Sequence, residues 1–129
     1  MCGCNVIFKC ENFQHTGSFK YRAALNAIKN IPSEYKSRGV ITHSSGNFAH
    51  ALSKASNELN IPCHIVMPNN TPEFKKLSVK LYTDNIFECE ANLKSRELMT
   101  KKILKDKNLY FIHPSNNTDV ILGNSTCTQ

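Results

Sequence analysis

The chain has 129 residues, 40% hydrophobic and 20% charged, with 16 lysines and arginines against 10 acids for a net charge of +6. That length supports one modest domain with its own core, or one domain plus pieces of another, and the composition excludes disordered and fibrous classes. No apolar run reaches bilayer length and no signal-peptide core is present, so the expectation is a cytoplasmic chain with no membrane partner.

In chain order, NVIFKC (5 to 10) reads as a first strand that opens almost at the first residue, so a lead-in is expected to be missing. Residues 18 to 30 read as a helix with Ser18 as N-cap and Phe19, Ala23 and Ile28 among its apolar positions, closed by Pro32 and Gly39. VITHS is the next strand. From Asn47 to Leu59, Phe48, Ala51, Leu52, Ala55 and Leu59 recur at helical spacing, which predicts an amphipathic helix packed on a sheet.

CHIVM follows as a strand, and Thr71 then caps a helix with Pro72 in its first position and Phe74, Leu77 and Leu81 as its apolar set. After strand NIFEC, a helix near 93 to 106 turns Leu93, Leu98, Ile103 and Leu104 inward, and strand LYFIH ends at Pro114. The order β-α-β-α-β-α-β-α-β predicts an α/β fold: an open, mostly parallel sheet with helices on both faces and ligands at the carboxyl ends of its strands.

Six cysteines, Cys2, Cys4, Cys10, Cys63, Cys89 and Cys127, show no disulfide spacing, which suits a reducing compartment. Cys2 and Cys4 have no second pair or histidine cluster at ligand spacing, so no metal site is expected within the chain. The lysines of KSRG, EFKKLSVK and LMTKKILKDK lack interleaved aromatics and read as solvated helix faces, not a nucleic-acid surface. The sequons at Asn69, Asn116 and Asn124 read as chance matches.

Two strand-to-helix turns carry the chemistry. In HTGSFK (15 to 20), Lys20 stands at the start of a helix, where the dipole disfavours a cation by a few tenths of a kcal/mol up to about one. With partial burial this is the condition for a Schiff-base amine, although an isolated lysine is ordinarily a solvated surface charge. In THSSGN (42 to 47), the free amides of Ser44 to Asn47 suit a carboxylate or phosphate; the simpler reading is that Asn47 caps the helix.

Other chemistries fail on spacing. Ser45 lacks the first glycine of a nucleophile elbow, GSFK lacks the Walker spacing and a following hydroxyl, and no dinucleotide fingerprint is present. An unrelated nucleotide-binding α/β domain is therefore disfavoured.

Taken together, FKCENFQHTGSFKYRAALNAI, VITHSSGNFAHAL, IPCHIVMPNNTPEFKKL and YFIHPSNN resemble the serine racemase and serine/threonine dehydratase family, among the tryptophan-synthase-β-like, fold-type II pyridoxal phosphate enzymes. The resemblance runs from Val6 to Thr126. By it, Lys20 matches the lysine that holds pyridoxal phosphate as a Schiff base and acts as base on one face, and Ser45 matches the acid/base on the opposite face. Phe19 matches the residue packed beside that lysine, and Asn47 the asparagine bonded to the cofactor's ring hydroxyl. Ser44, Ser45, Gly46 and Asn47 match the loop for the substrate carboxylate, with Arg96 near it.

The resemblance further implies a small domain over 39 to 116, a first part of a large domain over 1 to 38, and re-entry into that domain over 117 to 129. It implies serine or threonine as substrate, a homodimer, and a divalent cation (magnesium or calcium) and ATP as effectors of a longer parent. Phe48 departs from a family histidine near the substrate, and His15 from a lysine near the nucleotide effector site. The resemblance stops before the glycine-rich phosphate loop, the ring-nitrogen contact and the cation's carboxylates. The expectation is a fragment inactive alone, with a non-catalytic binding or dimerisation partner as the alternative.

Overall fold

The computed structural model describes residues 3–128. Its regular elements are α1 (Lys20–Lys29), β1 (Val40–His43), α2 (Asn47–Glu58), β2 (Cys63–Pro68), α3 (Glu73–Lys80), β3 (Ile86–Cys89), α4 (Leu93–Lys107), β4 (Tyr110–Phe111) and α5 (Thr118–Ser125). The four strands form one parallel sheet in the order β3-β2-β1-β4. β1 pairs with β2 from Val40↔Cys63 to His43↔Val66, and with β4 at Val40↔Tyr110 and Ile41↔Phe111.

Successive side chains of a strand point to opposite faces, so a parallel sheet needs an apolar cover on each. Val40, Ile65 and Met67 join the larger core with Ala24, Ala27 and Ile28 of α1 and Ala51, Leu52 and Ala55 of α2. Ile41 and Val66 point the other way, onto Ile103 and Leu109. Full burial of each such large side chain contributes about 1.5–3 kcal/mol relative to exposure. The alanines bring α1 and α2 close, and Gly123 does the same for α5: a Cβ there would lie 2.6 Å from the Cα of Ala23.

The strand order decides where a ligand can sit. The chain moves outward from β1 through β2 to β3, then crosses to the far side of β1 to lay down β4. Such a reversal opens a crevice at the carboxyl ends of the two strands that flank it. Here those ends are His43 with the Ser44–Asn47 turn, and the segment after Phe111.

Several expectations are corrected. Residues 5 to 10 form no strand: Val6, Ile7 and Phe8 are exposed, because no neighbouring strand among the described residues offers them hydrogen-bond partners. α1 starts at Lys20 with Phe19 at the N-cap; the Ser18 hydroxyl accepts from the Lys20 amide at 3.4 Å instead of capping a helix that starts there. Pro72 is the N-cap of α3, and the Thr71 hydroxyl is buried without a partner.

Phe74, Leu77 and Leu81 are exposed while Val79 is buried, and Leu93 and Leu98 are exposed while Ile103 is buried. Leu59, just past α2, is also partly exposed. Periodicity fixes the spacing of an apolar stripe, but only packing decides which stripe faces the sheet. β4 has just two residues, although the Ile112 amide extends the pairing to the Ile41 carbonyl at 2.9 Å. α5 is an additional helix, capped by the Asn117 side chain on the Val120 amide at 3.0 Å.

Of the cysteine pair at the N-terminus, Cys2 lies outside the described residues. Cys4 and Cys10 are exposed, whereas Cys63 is buried and its thiol is pushed up to about 12 by burial. The reactive species is the thiolate. Iodoacetamide at neutral pH will therefore modify Cys4 and Cys10 and spare Cys63 until denaturant is added. Mass-spectrometric mapping that finds Cys63 modified as fast as Cys10 in the native chain would refute this packing.

Candidate functional site

β1 delivers its last residue, His43, to the crevice, and the chain turns through Ser44, Ser45 and Gly46 before α2 begins at Asn47. The Ser44 amide donates to the Val66 carbonyl at 3.0 Å, which fixes the turn to β2, and the Gly46 amide donates to the Ser44 hydroxyl at 3.4 Å. Gly46 is the N-cap of α2 and no side chain caps that helix. The first amides of a helix have no partner within it, so those of α2 are left for another acceptor. A Cβ on Gly46 would meet nothing within 4 Å, so the space above the turn is open.

Asn47 is the first residue of the helix, not its cap, and its side chain is exposed. Neither Asn47 nor the half-buried Ser45 makes a side-chain hydrogen bond among the described residues. The capping reading of Asn47 is thus corrected.

Lys20 is the first residue of α1, reached through a tight turn in which Thr16 and Gly17 take left-handed backbone at φ +62° and +67°. Arg22 pins that turn, donating to both carboxylate oxygens of Glu11 at 2.7 and 2.9 Å. Lys20 is half-buried, with Nζ 4.8 Å from the centre of the Phe19 ring. Its amine makes no ion pair or hydrogen bond among the described residues. Both α1 and the His15–Gly17 turn pack against α2.

No hydrogen bond or ion pair joins Lys20 to the Ser44–Asn47 turn. The neighbouring Tyr21 instead donates to Glu58 in the last turn of α2, and Glu58 pairs with Lys54 at 2.8 Å. Arg96 lies on the other face of the sheet, on α4, half-buried and with its Nε–H buried without a partner. Its charge reaches His43 at the end of β1: the His43 pKa is lowered by burial first, then by His113 and Arg96.

Two histidines join the candidate residues here. His43 ends β1 and His113 follows β4, and their rings meet edge to face at 5.3 Å between centres. Adjacent strands at the reversal point bring them together. The sequence signal was present, since both stand at a strand's carboxyl end, in THS and IHP, but their adjacency depends on the order of the strands.

Buried polar atoms ordinarily have partners. Thr42 Oγ1, His43 Nδ1 and Arg96 Nε have none, and all three lie at or beside the strand ends. At the carboxyl end of β1 the uncapped α2 amides, the Asn47 carboxamide and the His43 Nδ1 supply donors whose chemistry fits an anionic group, and Lys20 supplies an amine at the start of the helix that packs on α2. Among the described residues, no three His, Cys, Asp or Glu side chains gather to hold a metal, and no helix is long and apolar enough to cross a membrane.

The family described as "Pyridoxal-phosphate dependent enzyme" matches residues 1–129. The chain belongs to that family. Among its relatives, the beta-hydroxyaspartate dehydratase of Paracoccus denitrificans is 43% identical over 129 residues, covering 100% of this chain and 41% of that protein. Human serine racemase is 42% identical over 129 residues, covering 98% of this chain and 38% of that protein. The solved structure of maize serine racemase superposes with a TM-score of 0.90 at 42% identity, over 94% of this chain and 37% of that one. The α/β architecture is accordingly that of fold-type II members of the family, and the chain spans about 40% of the length of the curated relatives it matches.

Proposed function

We propose that this chain is the part of a pyridoxal-phosphate-dependent serine racemase or serine/threonine ammonia-lyase that carries the cofactor lysine and the substrate-carboxylate turn. Its organisation is a first portion of a large domain (1–38), a small domain (39–116) and the return to the large domain (117–129). Lys20 would hold pyridoxal phosphate through its amine until the substrate's own amino group displaces it and frees it to act as a base, and the bound group would supply an electron sink for the charge left when an amino acid loses its α-proton.

The chain's own residues do the rest. Phe19 packs beside Lys20, and Asn47 would donate to the cofactor's ring hydroxyl. Ser44, Ser45, Gly46 and Asn47 receive the substrate carboxylate on the uncapped amides of α2, with Arg96 adding positive charge from α4. Lys20 takes the α-proton from one face of the substrate and Ser45 returns one to the other, which inverts serine. When the β-hydroxyl leaves instead, hydrolysis yields pyruvate and ammonia. Two groups that serve opposite faces of one planar group must be held apart, so the absence of a bond between Lys20 and Ser45 suits these roles.

The observation that carries this reading is an uncommitted lysine at the start of one helix and an uncapped, open turn at the start of the helix packed against it. The substrates are serine and threonine, and the whole enzyme is a cytoplasmic homodimer. Its effectors are a divalent cation (magnesium or calcium) and ATP, the latter with His15 in place of a family lysine. A second reading, a non-catalytic binding or dimerisation partner, is favoured by the exposed Val6, Ile7, Phe8 and Phe13.

One experiment separates the two. Incubated with pyridoxal phosphate and reduced with borohydride, the chain will carry the label on Lys20, and a Lys20→Arg variant will not take it up at any single site. Labelling spread over the exposed lysines without preference would favour the non-catalytic reading.

A further inference from the structure

A cavity of about 320 Å³ opens between the carboxyl end of β3 and α4, lined by Cys89, Glu90, Ser95, Leu98, Met99 and Lys102. Its place in the sheet explains it. β3 is an edge strand paired to β2 alone, and α4 packs across β1 and β2 as well, so Phe87 of β3 stays half-buried and the end of the strand is only partly covered. The volume is at the lower end for small-molecule sites.

The floor is apolar. Cys89 is 7% exposed and its thiol donates to the Met67 carbonyl at 3.6 Å; burial raises that thiol above its ordinary range, so it stays neutral. Leu98 and Met99 complete an aliphatic wall, and an unbranched thioether adapts its shape to a guest. Leu98 is exposed, so water lies against that wall until something displaces it.

The two charges on the rim are not equivalent. Glu90 is engaged: its Oε2 accepts from the Ser95 hydroxyl at 3.0 Å and from the Asn92 side chain at 3.1 Å, at the start of α4, where a carboxylate is favoured. Lys102 is exposed and makes no ion pair or hydrogen bond among the described residues, although Asp106 stands one helical turn along α4. Lys76 on α3, by contrast, closes on Glu88 of β3 at 2.7 Å. Lys94, Lys101 and Lys105 are exposed on the same helix as Lys102 and add positive potential. A cation is therefore repelled, a small inorganic anion leaves the floor wet, and a neutral apolar guest leaves the ammonium unanswered.

We propose that this cavity binds an amphiphilic monocarboxylate, an unbranched aliphatic chain of about six to ten carbons ended by one carboxylate. The carboxylate pairs with Lys102, and the chain covers Cys89, Leu98 and Met99. The site is two strands away from the Ser44–Asn47 turn and uses neither Lys20 nor pyridoxal phosphate, so failure of the borohydride labelling leaves it standing.

The test titrates octanoate into the 129-residue chain, isotope-labelled at the methyls of leucine, isoleucine, valine and methionine, without pyridoxal phosphate. Saturable shifts at Leu98 and Met99 are expected, with affinity rising up to about fourfold for each methylene added from butyrate to octanoate. Octylammonium keeps the chain and reverses the charge, and will bind at least about tenfold more weakly. Lys102→Gln will weaken octanoate about three- to fivefold, the range of an exposed ion pair, and leave octanol unaffected. Leu98→Ser will flatten the dependence on chain length. Both substitutions are at exposed positions, so the fold is kept.

Octylammonium binding as tightly as octanoate would overturn the proposal, and so would an affinity that does not change from butyrate to octanoate. The exposed Val6 and Ile7 offer a competing apolar surface. Octanoate shifts centred on their methyls, and undiminished in Lys102→Gln and Leu98→Ser, would overturn it as well.

Discussion

Ser45→Ala, made in a polypeptide that joins this chain to the remainder of its enzyme, will lower serine racemisation about 10²–10⁴-fold, the range general acid–base catalysis supplies. Elimination to pyruvate will fall far less, because it needs the α-proton removed from one face only. The structural basis is local. Ser45 is half-buried in a turn fixed to β2 by the Ser44 amide, and its hydroxyl makes no hydrogen bond among the described residues. Removing it therefore breaks no bond that the fold uses. Chiral chromatography of D-serine alongside a pyruvate assay reads both activities, and Lys20→Ala serves as the control that loses both. Undiminished D-serine formation by Ser45→Ala would remove that residue from the mechanism.

Gly39→Ala will unfold the chain at much lower denaturant, at a cost of about 2–6 kcal/mol from a strained backbone and an overpacked contact together. Gly39 has φ +105°, and an added Cβ would lie 2.3 Å from the Pro62 carbonyl oxygen and 2.7 Å from the Pro62 Cβ. The position cannot shift to make room. The Gly39 amide donates to Tyr35 at 2.7 Å, its carbonyl accepts from Tyr110 at 3.0 Å, and the next amide, of Val40, donates to Pro62 at 2.8 Å. One residue thus sets the starts of β1, β2 and β4, and through them the crevice at the other end.

Against a total stability of roughly 5–15 kcal/mol, this loss is large. Gly46→Ala is the matched comparison: a Cβ there meets nothing within 4 Å, so stability should hold while the space above the turn is narrowed. Urea unfolding of the two variants measures the contrast. Equal midpoints for Gly39→Ala and the parent chain would show that the Gly39 backbone is not constrained as described.

Much of the architecture was legible in the residues. VITH, CHIVMP and IFEC are strands and the Asn47 and Lys20 helices are helices, because each run carries its own periodicity and propensity. The two turns that lead into Lys20 and Asn47 could be singled out because an uncompensated cation and a hydroxyl–glycine run are odd at a helix start. The stretch 5 to 10 has strand composition too, yet stands exposed and unpaired, since composition states a preference and pairing needs a neighbour.

What the sequence determined by itself was therefore local: element types, the family resemblance, and the residue types set at two helix starts. Tertiary structure alone decided which stripe of α3 and α4 faces the sheet. It also put His43 beside His113, left Arg96 Nε and His43 Nδ1 without partners, and set Lys102 over an apolar cavity at the edge of the sheet. The physical reason is range. Periodicity and capping act within a few residues, whereas the strand order β3-β2-β1-β4 joins segments some seventy residues apart in the chain, from His43 to His113.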